Sequence, residues 1–462
     1  MYDDGIACRI HRASAGERES ASRPSSGASL RKGLLGMERN SETYRAYVQI
    51  LKEELVPAMG CTEPIAIAYA AAVAHQTLGR LAESMTIEAS GNIIKNVKSV
   101  FVPNTGGLRG IPAAAAAGMV AGEAEKKLEV ISAVTPAQQE EIRQYLERAA
   151  VSVQLSSSPF IFDILITARA GGDWARVRIV NYHTNIVLIE KNGEALHSVE
   201  AGIAREEGLT DKALLTVRDI IDFADAVELS AIEETIGRQI AYNTRIAEAG
   251  LSGSWGANIG TVLLKTYGND VKIRAKAMAA AGSDARMNGC GLPVVIVSGS
   301  GNQGMTASLP VIEYAKELGV SREKLYRALV LSNLLTIHIK AEIGRLSAYC
   351  GAVSAGCGSG AGIAYLYGGG YEEIAHTLVN SLAIVSGIVC DGAKASCAAK
   401  IAAAVDAGIL GYHMYREGQQ FLAGDGIISK GVEETIVNIG LLAKEGMRET
   451  DREILDIMIS RC

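Results

Sequence analysis

The chain has 462 residues, 48% hydrophobic, 21% charged and 5% aromatic, with a net charge of -6 at pH 7. That length buries a large core and corresponds to about three folding units of ~150 residues. The acidic balance excludes nucleic acid as a general partner, because phosphate binding needs a basic surface. No apolar run reaches the roughly 20 residues of a membrane-spanning helix.

Residues 1–36 are rich in Ser, Arg and Gly and read as a disordered tail. They contain no apolar segment of the secretory type, and Asp3, Asp4, Glu17 and Glu19 count against a transit peptide. From Ser41, Tyr44, Tyr47, Val48, Leu51 and Leu55 recur at helical spacing until Pro57 and Gly60. Gly60-Cys61-Thr62-Glu63-Pro64 then leads into an apolar helix over 65–78, with Thr62 placed to cap it and Pro64 in its first turn. Strands are expected at 85–89, 97–102, 151–155, 160–168, 175–181 and 185–190, and helices at 111–127 and 136–149. Helical patterns follow at 216–248, 256–281, 303–318, 321–347, 371–388, 393–410 and 432–447. The expected fold class is α+β: a mainly helical catalytic domain with an inserted smaller α+β domain containing a mixed or antiparallel sheet. The boundaries are 37–82 for the first part of the helical domain, 83–213 for the α+β domain and 214–462 for the main helical part carrying the cysteine cluster.

The eight cysteines are Cys8, Cys61, Cys290, Cys350, Cys357, Cys390, Cys397 and Cys462. Without a secretory signal the expected location is the cytoplasm, where thiols stay reduced. There is no C-x-x-C, so a zinc ribbon or thioredoxin-like site fits poorly. Buried structural thiols, an iron–sulfur cluster and a nucleophile remain open. Cys350/Cys357 and Cys390/Cys397 are two pairs with the same seven-residue spacing. On an unbroken helix that spacing separates two thiols by about 10 Å, awkward for one compact cluster. Asp391-Gly392 after Cys390, and Gly351, Gly358 and Gly360 around the other pair, place both pairs near flexible turns. Cys61, just before a helix start, sits where the helix dipole favours a thiolate, so it reads as a nucleophile or proton acceptor, or as a packed loop thiol.

Two glycine-rich loops precede helices: Asn104-Thr105-Gly106-Gly107-Leu108-Arg109-Gly110 and Ser298-Gly299-Ser300-Gly301-Asn302-Gln303-Gly304. Both resemble anion-binding helix starts, and neither has the Gly-Lys-Ser/Thr of a P-loop. His338, Glu342 and Arg345 share a helical face, readable as substrate contacts or as an internally paired polar stripe.

Taken together, Gly60-Cys61-Thr62-Glu63-Pro64, Asn104-Thr105-Gly106-Gly107, Ser298 to Gly304, Ile343-Gly344-Arg345-Leu346-Ser347 running to Cys350-Gly351, and Cys390-Asp391-Gly392-Ala393-Lys394 running to Cys397 resemble the L-cysteine desulfidase family. That family is similar in its cysteine region to the iron–sulfur L-serine dehydratase alpha chain. The resemblance spans roughly residues 37–447. It implies an oxygen-sensitive [4Fe–4S] lyase without pyridoxal phosphate, converting L-cysteine and water to pyruvate, ammonia and hydrogen sulfide. It implies Cys350, Cys390 and Cys397 as cluster ligands, with Cys357 as an alternate, and Cys61 as proton acceptor. Asn104, Thr105, Ser300 and Asn302 are expected to hold the substrate's carboxylate and ammonium groups, or else to be turn residues that only shape the pocket.

The nearest rival is L-serine dehydration by the same cluster chemistry. A pyridoxal-phosphate lyase, with the Ser298–Gly304 loop on the phosphate and Lys394 as Schiff base, leaves the clustered cysteines without a role. A non-catalytic iron–sulfur sensor is the third alternative. The expected partner is a small amino acid, with neither nucleic acid nor membrane; the Gly/Ala-rich composition suits a homo-oligomer.

Overall fold

The computed structural model describes residues 37–39, 41–201, 209–344 and 346–460. The tail expected at 1–36, Arg345, Cys8 and Cys462 lie outside these. The first helix, Glu42–Glu54, starts where Ser41 accepts a hydrogen bond from the Tyr44 N–H, 3.1 Å. It buries Tyr47, Ile50 and Leu51 on one face. A short strand β1 (Pro57–Met59) follows, then the helix Thr62–Leu78. Cys61 rather than Thr62 occupies its cap position, and the Thr62 hydroxyl instead donates to the Gly299 carbonyl, 2.8 Å.

The larger sheet comprises β2 (Ser84–Ala89), β3 (Ala150–Leu155), β4 (Asp163–Ala170), β5 (Asp173–Val180), β6 (Ile186–Lys191) and β7 (Glu194–Ser198). Its order is β3-β2-β4-β5-β6-β7. β2 and β3 run parallel and every other pairing is antiparallel, so the sheet is mixed. The parallel pair needs a long crossover, supplied here by the helices Gly91–Val97, Gly110–Ala121 and Pro136–Arg148. Ile164, Ile166 and Ala168 on β4 and Ala175, Val177 and Ile179 on β5 alternate inward, and the Thr62–Leu78 helix packs on these two strands. The strand expected at 97–102 is instead a helix end and a loop. Ile93 and Val97 are buried one turn apart on the helix Gly91–Val97, and beyond it Phe101 makes an isolated bridge to Arg109. Strand β7 was not expected. It is exposed at every position, and the turn before it carries Asn192 and Gly193 at positive φ.

The rest is helical: Val217–Ala226, Leu229–Ser252, Ile259–Tyr267, Val271–Met287, Gly301–Leu318, Arg322–Ile343, Gly351–Leu366, Tyr371–Val385, Cys397–Arg416, Val432–Leu441 and Arg448–Ser460. The long segments expected at 216–248 and 256–281 are each two helices. Strand β8 (Pro293–Val295), between the helices Val271–Met287 and Gly301–Leu318, pairs antiparallel with β1 and brings the loop 298–300 to the start of the Thr62 helix. The Gly-rich stretch after Cys350, read as a flexible turn, is the helix Gly351–Leu366. Interior glycines cost a helix about 1 kcal/mol each, but here they permit close contact. A Cβ on Gly356 would lie 2.4 Å from the Ala404 carbonyl oxygen, and one on Gly360 would lie 2.6 Å from that of Gly408. The fold is α+β and mainly helical, as expected. No described helix is long and apolar enough to cross a membrane.

Candidate active site

Four helix starts meet at one cavity of about 110 Å³. Cys61 caps Thr62–Leu78, Ser300 caps Gly301–Leu318, Cys350 caps Gly351–Leu366, and Cys397 is the first residue of Cys397–Arg416. All four line the cavity. Cys390 joins them through a local zip: Tyr349 bridges Val389, Cys350 N–H donates to Ile388, 3.1 Å, and Cys390 N–H donates to Ala348, 2.6 Å. Helix starts carry partial positive charge and free N–H groups, so this convergence favours anionic sulfur and anionic ligands.

The thiols interact. Cys350 is pushed well up, first by its hydrogen bond to Cys390 and then by burial. Cys390 is pulled below its ordinary value by the same bond, against burial, with help from Lys95, the Gly392 N–H and Lys340. Burial raises Cys397, opposed by the Lys394 N–H, which lies 3.5 Å from its sulfur. Lys95, Lys340 and Arg286 line the cavity as buried cations. Lys95 is ion-paired with Asp451 of the last helix. Among the described residues no three His, Cys, Asp or Glu side chains converge on a single metal ion. Cys350 and Cys390, bonded to each other, and Cys397, within reach of their charge, are a donor set that would suit a thiolate-held iron–sulfur cluster instead.

The opposite wall is built on Cys61. Its thiol donates to Glu63 Oε2, 3.0 Å, while Asn96 Nδ2 donates to Glu63 Oε1, 3.0 Å. Burial pushes the Cys61 thiol far up, and the Glu63 charge adds to this; Arg286 opposes it. The helix start therefore does not leave Cys61 as a ready thiolate, contrary to the reading from sequence. Glu63 is held below the usual carboxylate range despite burial, by His183, the Cys61 thiol, its own N–H and Arg286. In this arrangement the proton rests on sulfur and the negative charge on Glu63.

Of the expected substrate residues, Ser300 and Asn302 line the cavity. Asn104 and Thr105 are absent from its lining. Thr105 is fully buried and donates to the Val102 carbonyl, 2.7 Å; Asn104, at φ 58, donates to Ile131, 3.1 Å. Both shape their loop. Cys357 lies inside the Gly351–Leu366 helix, fully buried and outside the lining. His338 is paired with Glu433, 2.7 Å. Sequence reasoning passed over Glu63, Asn96, Lys95, Arg286, Gln303 and Lys340, all on the cavity wall. Three of these are cations set among apolar neighbours, a pattern that signals a buried charge with a task.

A mainly helical α+β fold with a thiol-lined, cation-rich cavity is the class these features define. The model of the serine dehydratase alpha chain family matches residues 125–456, which include Cys350, Cys390 and Cys397, and the chain belongs to that family. A "UPF0597 protein" of Desulfitobacterium hafniense is 63% identical over 429 residues, covering 92% of this chain and 99% of the relative. Others from Lachnoclostridium phytofermentans and Treponema denticola are 52% and 47% identical, covering 90% and 92% of this chain and 100% of each relative.

Proposed function

We propose that the chain is a cytoplasmic lyase that eliminates hydrogen sulfide from L-cysteine, leaving pyruvate and ammonia, with a [4Fe–4S] cluster held by Cys350, Cys390 and Cys397. The observation that carries this reading is the convergence of those thiols with Cys61 on one cavity, three of the four at helix starts and Cys390 beside them. When bound, the cluster supplies Lewis-acid and template chemistry for the leaving group.

The chain's own residues account for the proton. Glu63 accepts the Cys61 thiol proton, and the resulting thiolate, buried and beside a carboxylic acid, is basic enough to take the weakly acidic α-proton. The Cα–H pair then forms the Cα=Cβ bond as the Cβ–S bond breaks, and its electrons leave with sulfur. The aminoacrylate tautomerises to an imine, which water hydrolyses to pyruvate and ammonia. Burial of the site excludes competing protons.

L-Serine is the second reading, favoured by the family's own description. It loses hydroxide from the same carbon by the same steps. The test is anaerobic purification, iron and acid-labile sulfide analysis, and assay of pyruvate from each substrate. Wild type carries a full cluster and releases sulfide from L-cysteine; Cys390→Ala has lost most of its iron and its activity. A Cys390→Ala variant with full iron content overturns the ligand set, and pyruvate from L-serine alone moves the assignment to the second reading.

A further inference from the structure

Arg286 lies at the end of the helix Val271–Met287, on the cavity wall and 2% exposed. Among the described residues its side chain has one hydrogen-bond partner: Nη1 donates to Asn302 Oδ1, 3.0 Å. Its Nε is buried without a partner, and no described carboxylate is ion-paired with it. Glu63 reaches this buried guanidinium through its charge alone, so most of its N–H donors stay unfilled, which is unfavourable unless a ligand completes them. Burial accordingly pulls its pKa down, opposed by the charges of Cys61, Glu63 and Cys397.

Glycine at 301 lets the helix start pack directly against this group. A Cβ on Gly301 would stand 2.4 Å from Arg286 Nε. Gln303, one residue past the Asn302 that holds Arg286, is also on the wall, 4% exposed, and its Oε1 has no partner. An unfilled cationic donor, reaching over from the preceding helix, and an unfilled acceptor therefore stand at one helix start. Their chemistry is complementary to a zwitterion.

We propose that Arg286 and Gln303 form the subsite for the head group of an α-amino acid, Arg286 binding the carboxylate and Gln303 Oε1 accepting from the ammonium. This rests on reading the cavity as the active site of an amino-acid lyase, and it assigns the residues that set specificity there. Asn302 serves as a positioning residue, holding the guanidinium by Nη1 and leaving the rest of the fork for the carboxylate.

The test is calorimetric titration of the anaerobic, cluster-loaded protein with L-alanine, L-alaninamide and L-lactate. L-Alanine has both head groups and no leaving group, so binding is read without turnover. Wild type prefers L-alanine to both analogues. Arg286→Gln loses about 10- to 100-fold affinity for L-alanine and L-lactate, the range of a charge-assisted pair, and its L-alaninamide affinity is unchanged. Gln303→Leu loses the preference of L-alanine over L-lactate. A folded, iron-loaded Arg286→Gln that binds L-alanine within twofold of wild type overturns the proposal, as does an equal loss for L-alanine and L-alaninamide. If Arg286→Gln does not fold, Arg286→Lys replaces it: a loss confined to carboxylate ligands supports the subsite, and unchanged affinities overturn it. A wild-type protein that binds L-alanine selectively but turns over neither L-cysteine nor L-serine sinks the lyase reading and leaves the subsite standing.

Discussion

The Cys61 sulfur lies 3.0 Å from Glu63 Oε2, two residues on in the same helix start, and the thiol donates to the carboxylate. Burial is the larger push on the thiol and the Glu63 charge the next, so the pair stores its proton on sulfur. Glu63→Gln removes the acceptor of that proton. The expected outcome is a fall in kcat of about 10²- to 10⁴-fold, the usual contribution of a positioned proton-transfer group. Iron and sulfide content stay at the wild-type level, because Glu63 bonds Cys61, Thr62 and Asn96 and none of the three thiols proposed to hold the cluster. Wild-type activity needs only ionised Glu63, whereas the variant must lose the Cys61 proton to solvent against burial, so its residual activity rises to a plateau at higher pH than in wild type. A variant with lost activity and an unmoved pH profile would reduce Glu63 to a packing role.

Asp284 is fully buried on the helix that carries Arg286, and its Oδ2 accepts from the Gly260 N–H, 3.0 Å, while Oδ1 has no partner. Burial raises its pKa from the ordinary 3.8 to about 6, against the N–H groups of Gly260 and Ile259. Below 3.8 the carboxyl is neutral in both folded and unfolded chains. Between 3.8 and 6 the unfolded chain ionises first, so the folded state loses stability as pH rises, and the loss is complete above 6. Asp284→Asn keeps an acceptor for Gly260 and removes the titration. Denaturant unfolding of the variant should show a gain of about 1–3 kcal/mol at pH 8, shrinking by roughly half at pH 5. An equal difference at both pH values would contradict the assignment.

The helices Gly351–Leu366 and Cys397–Arg416 touch through backbone at Gly356 and Ala404. Gly356→Ala forces a methyl into space already held by a carbonyl, an overpacking that costs about 1–3 kcal/mol or more. Each of these helices begins with a thiol of the candidate site, so the displacement should also lower iron content. Gly387→Ala is the matched control. Nothing lies within 4 Å of its added Cβ, so unfolding midpoint and iron content stay unchanged.

The local punctuation of the chain was legible because it depends on near neighbours. Ser41, Thr135 and Ser321 each accept from the N–H three residues on, and the helices start there. The alternating strands on either side of Gly171 and Gly172 were equally readable. The helix after Cys350 was not, because its glycines lower local propensity and only the facing Ala404 and Gly408 explain them. The thiols were nameable as a group, but their electrostatics were not. Spacing along the chain says nothing of the burial that is the largest push on the Cys61 thiol, or of Arg286 acting on it from more than two hundred residues away. Asn104 and Thr105 failed to reach the cavity for the converse reason: their polar atoms are consumed by carbonyls of their own loop and of Ile131.

Cys357 tests how far the seven-residue spacing misleads. It sits two turns into the helix that Cys350 caps, so the two sulfurs leave the helix about 10 Å apart. Only Cys350 faces the cavity, and Cys357 is fully buried, where burial pushes its thiol well up and keeps it neutral. Cys357→Ala removes one buried sulfur and leaves a small void, costing about 1–2 kcal/mol in unfolding free energy. Iron content and activity should match wild type at a temperature below the lowered midpoint. Cys350→Ala should do the reverse, losing the cluster while changing little in the packing of the helix behind it. Iron analysis and chemical unfolding on the two variants side by side decide the matter, and a Cys357→Ala protein that purifies folded but without iron would exchange the two residues' roles.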